Sequence, residues 1–389
     1  MKDFMDKFKI KYVLLLYKLA NFSLVCFRTL VFLRLKPPKK VKSILIFRVG
    51  NIGDIICALP ALNIIRKNFP DAELTFLSSP GDRSLGGALE LVDSIRAADK
   101  ILIYSDKDID DLKKIFTIFR ILRKKKCELF IELPSNLAKL SHEYRNILFS
   151  RLIGCKYGMG FNINNINLFL QLQSEYIDFT LEEETLAKLL EKEGLTAGEF
   201  EYKFSISEKD RQIAREMLIK FDRETILVLS PNSKRNTNIY DLNKFAEIGR
   251  TLAGKHNFTP VIIGGKDDRE RSAKLSGLIG GKAVSIAGQL NLSQTIEFLK
   301  YCRLMVAVDG GPVHMASVAG LPVVGIYSAR EVNGKWYPFG KKNIVIRKEP
   351  ACHTCLKLEC EKTICLDMIS VAEVVEAAEK VLSNTASKV

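Results

Sequence analysis

The 389-residue sequence has no uninterrupted apolar run of the ~20 residues that a membrane-spanning helix needs. No small-residue cleavage site follows its apolar N-terminal stretch, which argues against a secretory signal peptide. Proline is scarce, at 12 residues, and low-complexity tracts are missing, so long disordered segments are not expected. No short-period repeat is present, which sets aside solenoids and propellers. Acidic residues are almost missing from the first 50 positions, where Asp3 and Asp6 face 12 Lys/Arg. That segment therefore holds a surplus of ten positive charges out of a net +14. The remaining body is too nearly neutral to be a nucleic-acid-binding surface, and no nucleic-acid partner is expected.

A hydrophobic content of 47% in a chain of this length suits two or three globular domains. Of nine cysteines, Cys26, Cys57, Cys127, Cys155 and Cys302 sit in apolar surroundings and read as buried reduced thiols, which suggests a reducing compartment. The other four form the run Cys352-x2-Cys355-x4-Cys360-x4-Cys365. Structural zinc, redox pairing and simple packing all remain open for them, because x4 spacings are not those of a common zinc ribbon.

Residues 11–35 are apolar and aromatic but interrupted by Lys18 and Arg28. A basic amphipathic helix lying in a membrane interface fits this pattern, and a helix packed on the protein's own body is the alternative. Pro37 and Pro38 end the segment. From residue 43 strands and helices alternate. Strands are expected at 43–47, 73–77, 100–104 and 127–132, with helices at 52–68, 83–92, 108–124 and 137–153. Residues 155–180 read as an irregular loop region. A second series has strands at 226–230, 260–264, 283–286, 304–308 and 323–327, with helices at 241–255, 267–278, 292–302 and 371–382. Such alternation implies parallel sheets covered by helices. The division expected is 1–40 for the basic segment, 41–205 and 206–370 for two Rossmann-like domains, and 371–389 for a C-terminal helix and tail.

Two turns carry chemistry. In Asp309-Gly310-Gly311-Pro312-Val313-His314 a buried strand runs through a glycine turn into a short helix. Backbone N–H groups of Gly310, Gly311 and Val313 at a helix N-terminus suit an anion. Pro312 suits the first helical position, and His314 lies within reach of a ligand there. The same pattern also serves as a plain chain reversal. The other turn is Arg48-Val49-Gly50-Asn51-Ile52-Gly53-Asp54, the first strand-to-helix loop, without the dinucleotide spacing G-x-G-x-x-G. Gly50 and Gly53 allow close approach of another molecule. Asp54 is either an acid favoured by the helix dipole or a base for an acceptor hydroxyl.

Phe47–Asp54 with Cys57-Ala58-Leu59-Pro60-Ala61-Leu62, together with Val308–Ala316 and Gly320-Leu321-Pro322-Val323, resembles the bacterial heptosyltransferases, glycosyltransferase family 9. The resemblance covers about residues 43–382. It implies a GT-B fold, with two Rossmann-like doubly wound α/β domains facing across a cleft. It further implies inverting transfer of a heptose from ADP-heptose to the inner core of lipopolysaccharide, with no cofactor or metal required. Asp54 matches the family's proposed catalytic base, in a loop with Arg48, Gly50, Asn51 and Gly53 that faces the acceptor. Asp309, Gly310, Gly311 and His314 match the nucleotide-sugar site.

The sequence departs from the family at Asn238, which stands where a phosphate-contacting Lys is usual. Lys234 or Arg235 on the same loop can replace that charge. Asp268 lies where the family often has an acid near the nucleoside, and a helix N-cap is its other reading. The expected enzyme is peripheral on the cytoplasmic face of the bacterial inner membrane, with a nucleotide sugar and a lipid-linked core oligosaccharide as partners. A family member using another nucleotide sugar is the rival reading. A GT-B-like protein that binds glycolipid or nucleotide without turnover is the other.

Overall fold

The computed structural model describes residues 2–34, 36–38, 40–79, 98–104, 112–134, 139–163, 180–197, 202, 204–221 and 225–386. The chain divides into two compact units, Met1–Ile177 with Glu182–Lys203, and Asp178–Leu181 with Phe204–Val389. The helix expected at 83–92, and the first residues of the one expected at 108–124, lie outside the described residues.

The first unit starts with helix α1 (Lys2–Phe32) and continues as β1 (Ser43–Val49), α2 (Ile52–Asn68), β2 (Glu73–Ser79) and β3 (Lys100–Ile103). Helix α3 (Leu112–Lys124), β4 (Leu129–Glu132), α4 (Leu140–Leu152), β5 (Tyr157–Met159) and α5 (Glu182–Lys192) follow. Its five strands are all parallel, in the order β3-β2-β1-β4-β5. Ile44, Leu45 and Ile46 on the central strand are fully buried, which is why β1 reads as a continuous apolar run and not as an alternation. Because β1 pairs with both β2 and β4, the strand order reverses between β1 and β4. Loops leaving the carboxyl ends of those two strands diverge and leave a crevice for a ligand. The β3→β4 and β4→β5 crossovers run in the direction opposite to β1→β2. Right-handed crossovers therefore place α3 and α4 on one face of the sheet and α2 on the other.

Strand β5 corrects the loop expected at 155–180. Three residues, Tyr157–Met159, pair with Leu129–Ile131 at the sheet's edge, too few to show a period in sequence. Gly160 ends the strand at φ 86°, and a Cβ there would lie 2.1 Å from the Glu132 carbonyl oxygen.

Helix α1 packs on the protein's own body along one face, as the second reading of residues 11–35 expects. That face buries Val13, Leu24, Phe32 and Arg28 on the first unit. Arg28 is ion-paired with Glu193 through bonds of 2.6 and 2.8 Å and lies over the Tyr157 ring. Ser23 Oγ and the Tyr144 hydroxyl are 2.7 Å apart, and Phe27 packs edge-on against Tyr144. The other face leaves Tyr12, Leu15, Leu19, Phe22 and Leu30 exposed, and Cys26 too is exposed where a buried thiol was expected. By length and composition alone, Lys11–Phe32 suffices to cross a membrane, with Lys11, Lys18 and Arg28 its charged residues.

The second unit contains α6 (Glu208–Leu218), β6 (Ile226–Ser230), α7 (Leu242–His256), β7 (Thr259–Ile262), α8 (Arg269–Ile279), β8 (Val284–Ser285) and α9 (Leu292–Leu299). It closes with β9 (Leu304–Val308), α10 (Gly311–Ala319), β10 (Val323–Tyr327), β11 (Ile344–Arg347), α11 (Ile364–Asp367) and α12 (Val371–Ala386). Six parallel strands lie in the order β11-β10-β9-β6-β7-β8, so the order reverses between β6 and β9. Strands β6, β9 and β10 fall where the sequence places them. Strand β11 was not expected, since its four residues are all only half-buried and give no apolar run. Leu227, Leu229, Val306 and Ile326 form a core with Phe245 of α7 and Ala378 and Val381 of α12.

Glu132 and Glu143 are among the buried polar residues of the first unit. Glu132 at the end of β4 accepts from Asn146 Nδ2 at 2.7 Å, and Glu143 of α4 accepts from the Asn162 N–H at 3.2 Å. Burial raises both carboxyls above the ordinary range, and for Glu143 the neighbouring Glu132 adds to the rise. A carboxyl whose folded pKa is raised stabilises the fold fully below its unfolded value and loses that stability as pH rises through the folded one. The Glu143→Gln variant should therefore lose less melting temperature than the parent chain between pH 6 and pH 9, by about 2 °C or more. Thermal melts across that range measure the difference.

Candidate active site

The first reversal point is built by Gly50 and Arg48. Gly50 leaves β1, its N–H bonded to the Ser79 carbonyl, and Asn51 opens α2. The Asn51 N–H donates to Asp54 Oδ2 at 2.9 Å, the reach-back half of a capping box. This brings the Asp54 side chain over Gly50 so closely that a Cβ on residue 50 would lie 2.3 Å from the Asp54 Cβ. Only glycine admits that turn. Beneath it, Arg48 is fully buried. Its Nε donates to the Asp54 carbonyl at 2.9 Å, Nη1 to the Pro134 carbonyl at 3.1 Å and Nη2 to Glu182 at 2.9 Å. Nη2 also lies 3.7 Å from Asp54 Oδ1. Burial works against the charge, but Glu182 and then Asp54 more than offset it, so the guanidinium stays protonated. One side chain thus ties the β1–α2 turn to the β4 loop and the start of α5.

The second unit repeats the device. After β7, the Gly265 N–H donates to Asp268 Oδ2 at 2.7 Å, and a Cβ on Gly264 would lie 2.8 Å from the Asp268 Cβ.

At the second reversal point, Asp309 follows β9 and receives a 2.9 Å bond from Asn238 Nδ2. Asn238 Oδ1 accepts in turn from Ser328 Oγ at 2.6 Å. Burial, then the Glu331 carboxylate, push the Asp309 carboxyl up to about 7, against the pull of Arg235, Arg330 and the Asn238 bond. Glu331 itself takes Arg235 at 2.9 Å and is also paired with Arg330. Asn232 Oδ1, Thr237 Oγ1 and Glu331 Oε2 are buried without a hydrogen-bond partner. Each costs about 1–3 kcal/mol of desolvation, and such a concentration of unmet polar atoms around one strand end suits a polar ligand.

Gly310 is nearly fully extended, and a Cβ on it would meet only ordinary contacts at 3.6 and 3.7 Å. The fold does not require glycine at that position, so the missing side chain is best explained by space for a ligand.

The family model of glycosyltransferase family 9 (heptosyltransferase) matches residues 153–365, more than half of the sequence. The chain belongs to glycosyltransferase family 9. The lipopolysaccharide core heptosyltransferase OpsX of Haemophilus influenzae is 24% identical over 295 residues, 74% of this chain and 79% of that protein. Among solved structures, a family 9 glycosyltransferase from Veillonella parvula superposes with a TM-score of 0.71 at 18% identity, covering 90% of this chain and 99% of that one. The E. coli ADP-heptose lps heptosyltransferase II gives 0.64 at 16% identity, covering 89% and 99%. Two parallel α/β sheets in this order are the GT-B heptosyltransferase fold.

Within this glycosyltransferase several expected residues hold other positions. Arg48 is no cleft-lining side chain but a buried support for the turn that bears Asp54. Asn51 contributes its backbone N–H, and Gly53 lies in the first turn of α2. Asn238 brings no charge in place of a phosphate-binding Lys, and its amide bridges Asp309 and Ser328. Lys234 is exposed on the loop, whereas Arg235 is directed to Glu331. Asp268 stands at the N-cap position of α8, but its carboxylate reaches back to the Gly265 N–H and makes no cap bond to the helix. The Val313 N–H is taken up by the Gly310 carbonyl at 3.3 Å, which leaves the turn's outer donors at Gly310 and Gly311. Pro312 is the second helical residue. His314 is buried edge-on to Trp336, and burial lowers it to about 4. At neutral pH it is an uncharged imidazole and brings no positive charge to the turn.

No three of Cys352, Cys355, Cys360 and Cys365 come within 4.8 Å of one another among the described residues, so the structure does not assemble the zinc set considered from sequence. Ser328, Glu331 and Arg330 were not found by sequence reasoning. Their only signal was position, just past the carboxyl end of β10.

A Gly50→Ala substitution should open the turn and displace Asp54. Glycosyl transfer is expected to fall by about 100-fold, in line with the cost of a 1 Å misplacement, while the far-ultraviolet circular dichroism stays unchanged. Steady-state kinetics of the purified variant check this.

Proposed function

We propose that this protein moves a heptose from ADP-heptose to a lipopolysaccharide inner-core acceptor with inversion at the anomeric carbon. The first unit's Asp54 accepts the proton of the acceptor hydroxyl. The oxygen attacks the anomeric carbon, the bond to the diphosphate breaks, and ADP departs with both electrons of that bond. The second unit serves the donor, with Gly310 and Gly311 presenting backbone donors at the start of α10 and Lys234 supplying positive charge on the neighbouring loop. Such a turn stabilises a leaving diphosphate by fixed dipoles, and the reading needs no metal for that task.

The observation that carries the proposal is the clip on Asp54. Its Oδ2 is fixed by the Asn51 N–H and its backbone by Arg48, yet a carboxylate has four lone-pair sites, so being held does not use up its basicity. The family assignment supports the reaction class, and the names of the Haemophilus and E. coli proteins support ADP-heptose and a lipopolysaccharide core. The exposed apolar face of α1 and the surplus of positive charge in residues 1–50 support a peripheral place on the inner face of the bacterial inner membrane. Replacing Asp54→Asn should lower transfer by about 1,000-fold, within the range of a lost general base, with donor affinity changed less than about threefold. Normal turnover by that variant would remove Asp54 from the mechanism. Donor binding without transfer in the parent chain would point to a binding protein.

A second reading, a different nucleotide sugar, is favoured by one observation. Asn238 is spent on Asp309 and Ser328 where a phosphate-contacting Lys is usual. A thermal-shift panel of ADP- and UDP-sugars separates the two. A cognate donor at 100 times its Kd should add about 2.7 kcal/mol of stability. A UDP-sugar that outperforms ADP-heptose would establish the second reading.

A further inference from the structure

Helix α3 buries almost nothing. Among the described side chains of the helix only Leu122 is fully covered, while Ile115, Phe116 and Ile121 are 39%, 60% and 45% exposed. Between residues 112 and 126 there are seven Lys/Arg and no acid. At helical spacing Lys113, Arg120 and Lys124 lie opposite Leu122, flanked on one side by Phe116 and on the other by Ile121. The Arg120 guanidinium sits 5.8 Å from the Phe116 ring centre, and that of Arg123 sits 6.0 Å from Phe119. Aromatic rings and cations thus share one outward surface.

A solvated helix explains the cations but not the apolar side chains among them. An acidic protein partner would account for the charge, yet the neighbouring surface points elsewhere. The crossover handedness sets α3 and α4 on one face of the sheet, and α1 packs on α4 through Phe27 and Tyr144. On that same face α4 exposes Leu148 and Leu152, and α1 exposes Leu15, Leu19 and Phe22. Three helices of one layer therefore present apolar groups outward, with the densest positive charge on α3. An anionic bilayer surface meets both requirements together. Rings and aliphatic groups enter the headgroup boundary while Lys and Arg stems reach back to lipid phosphates.

We propose that α3 is a second membrane-interface element, which lies in the plane of an anionic bilayer and seats the first unit there together with α1. This rests on the membrane-surface reading of α1 given above and extends it to a helix that reading does not use.

The test uses the full chain and sedimentation with vesicles of phosphatidylcholine alone or of equimolar phosphatidylcholine and phosphatidylglycerol. The parent chain should bind the mixed vesicles, bind the neutral ones at least about tenfold more weakly, and lose binding at high salt. Two α3 variants, Phe116→Ser with Ile121→Ser, and Lys113→Gln with Arg120→Gln and Lys124→Gln, should each bind the mixed vesicles about tenfold more weakly with unchanged melting. A third variant, Leu15→Ser with Leu19→Ser and Phe22→Ser, tests α1 by itself. If the α3 variants bind as the parent does while the α1 variant does not, the α3 proposal is wrong and the α1 reading stands. If the parent chain binds neither vesicle, both are wrong. If the parent is a lipid-independent dimer that Phe116→Ser with Ile121→Ser dissociates, the α3 face is an interface between copies and the proposal is overturned. A Phe116→Trp chain gives a measurement independent of folding losses. Its emission should shift to the blue on mixed vesicles and be quenched by brominated lipid, and an unchanged spectrum counts against the proposal.

Discussion

The first unit depends on one buried cation. Arg48 sits at the point where the strand order reverses, and it bonds to three chain segments that meet only there. Its guanidinium holds the Asp54 carbonyl, the Pro134 carbonyl and the Glu182 carboxylate at once. A planar fork with five donors suits that geometry, and an ammonium does not. Removing one partner of such a buried pair leaves the other charge uncompensated, at a cost of about 3–5 kcal/mol. The arrangement resists substitution and keeps the turn above it rigid. Precision at Asp54 follows from that rigidity, because a carboxylate on a loop is only as well placed as the atoms under the loop.

The same small device recurs in the two units. A glycine leaves a strand, the next N–H reaches the carboxylate four residues after the glycine, and the side chain closes over the missing Cβ. In one unit it presents Asp54 and in the other Asp268. The first lies at the reversal point of its sheet, between β1 and β4. The second follows β7, one strand away from the reversal between β6 and β9, where Asp309 stands. The recurrence is local chemistry, while the difference in role comes from sheet order. The second unit reaches its own anchoring by a different route, a chain of bonds from Ser328 through Asn238 to Asp309, with Arg235, Arg330 and Glu331 setting the charge around it.

The polar interior and the apolar exterior of the first unit have a common origin in its layers. Helices α3 and α4 cover the face of the sheet opposite α2, and α1 adds to that layer. Burying Arg28 against Glu193 and Tyr157 fixes which side of α1 turns inward. The side left outward is then largely apolar, since between Tyr12 and Phe32 the only charged residues of α1 are Lys18 and Arg28. On α3 the balance is reversed, with little buried and much charge. Together they give one face of the unit a character unlike ordinary solvated surface.

Much of the fold was legible in the chain. β6, β9 and β10 are buried on both faces and so announce themselves as short β-branched runs, and α2 is bounded by Asn51 at one end and Pro70 at the other. The two glycine turns were legible too, because spacing along a single turn is a local property. The short edge strands β5 and β11 were not, since three or four residues with mixed exposure carry no period. Nor was the conversion of Asn238 from a supposed phosphate contact into a clamp on Asp309, because its partners are 71 and 90 residues away. By itself the sequence determined where the long buried strands run, where glycine allows a turn, and that Asp54 opens a helix just after a strand while Asp309 stands at a strand end. Only the tertiary structure decided which ends lie at a reversal of strand order, and that Arg48 is a buried support. Those facts arise from pairings between distant segments, which local propensity does not encode.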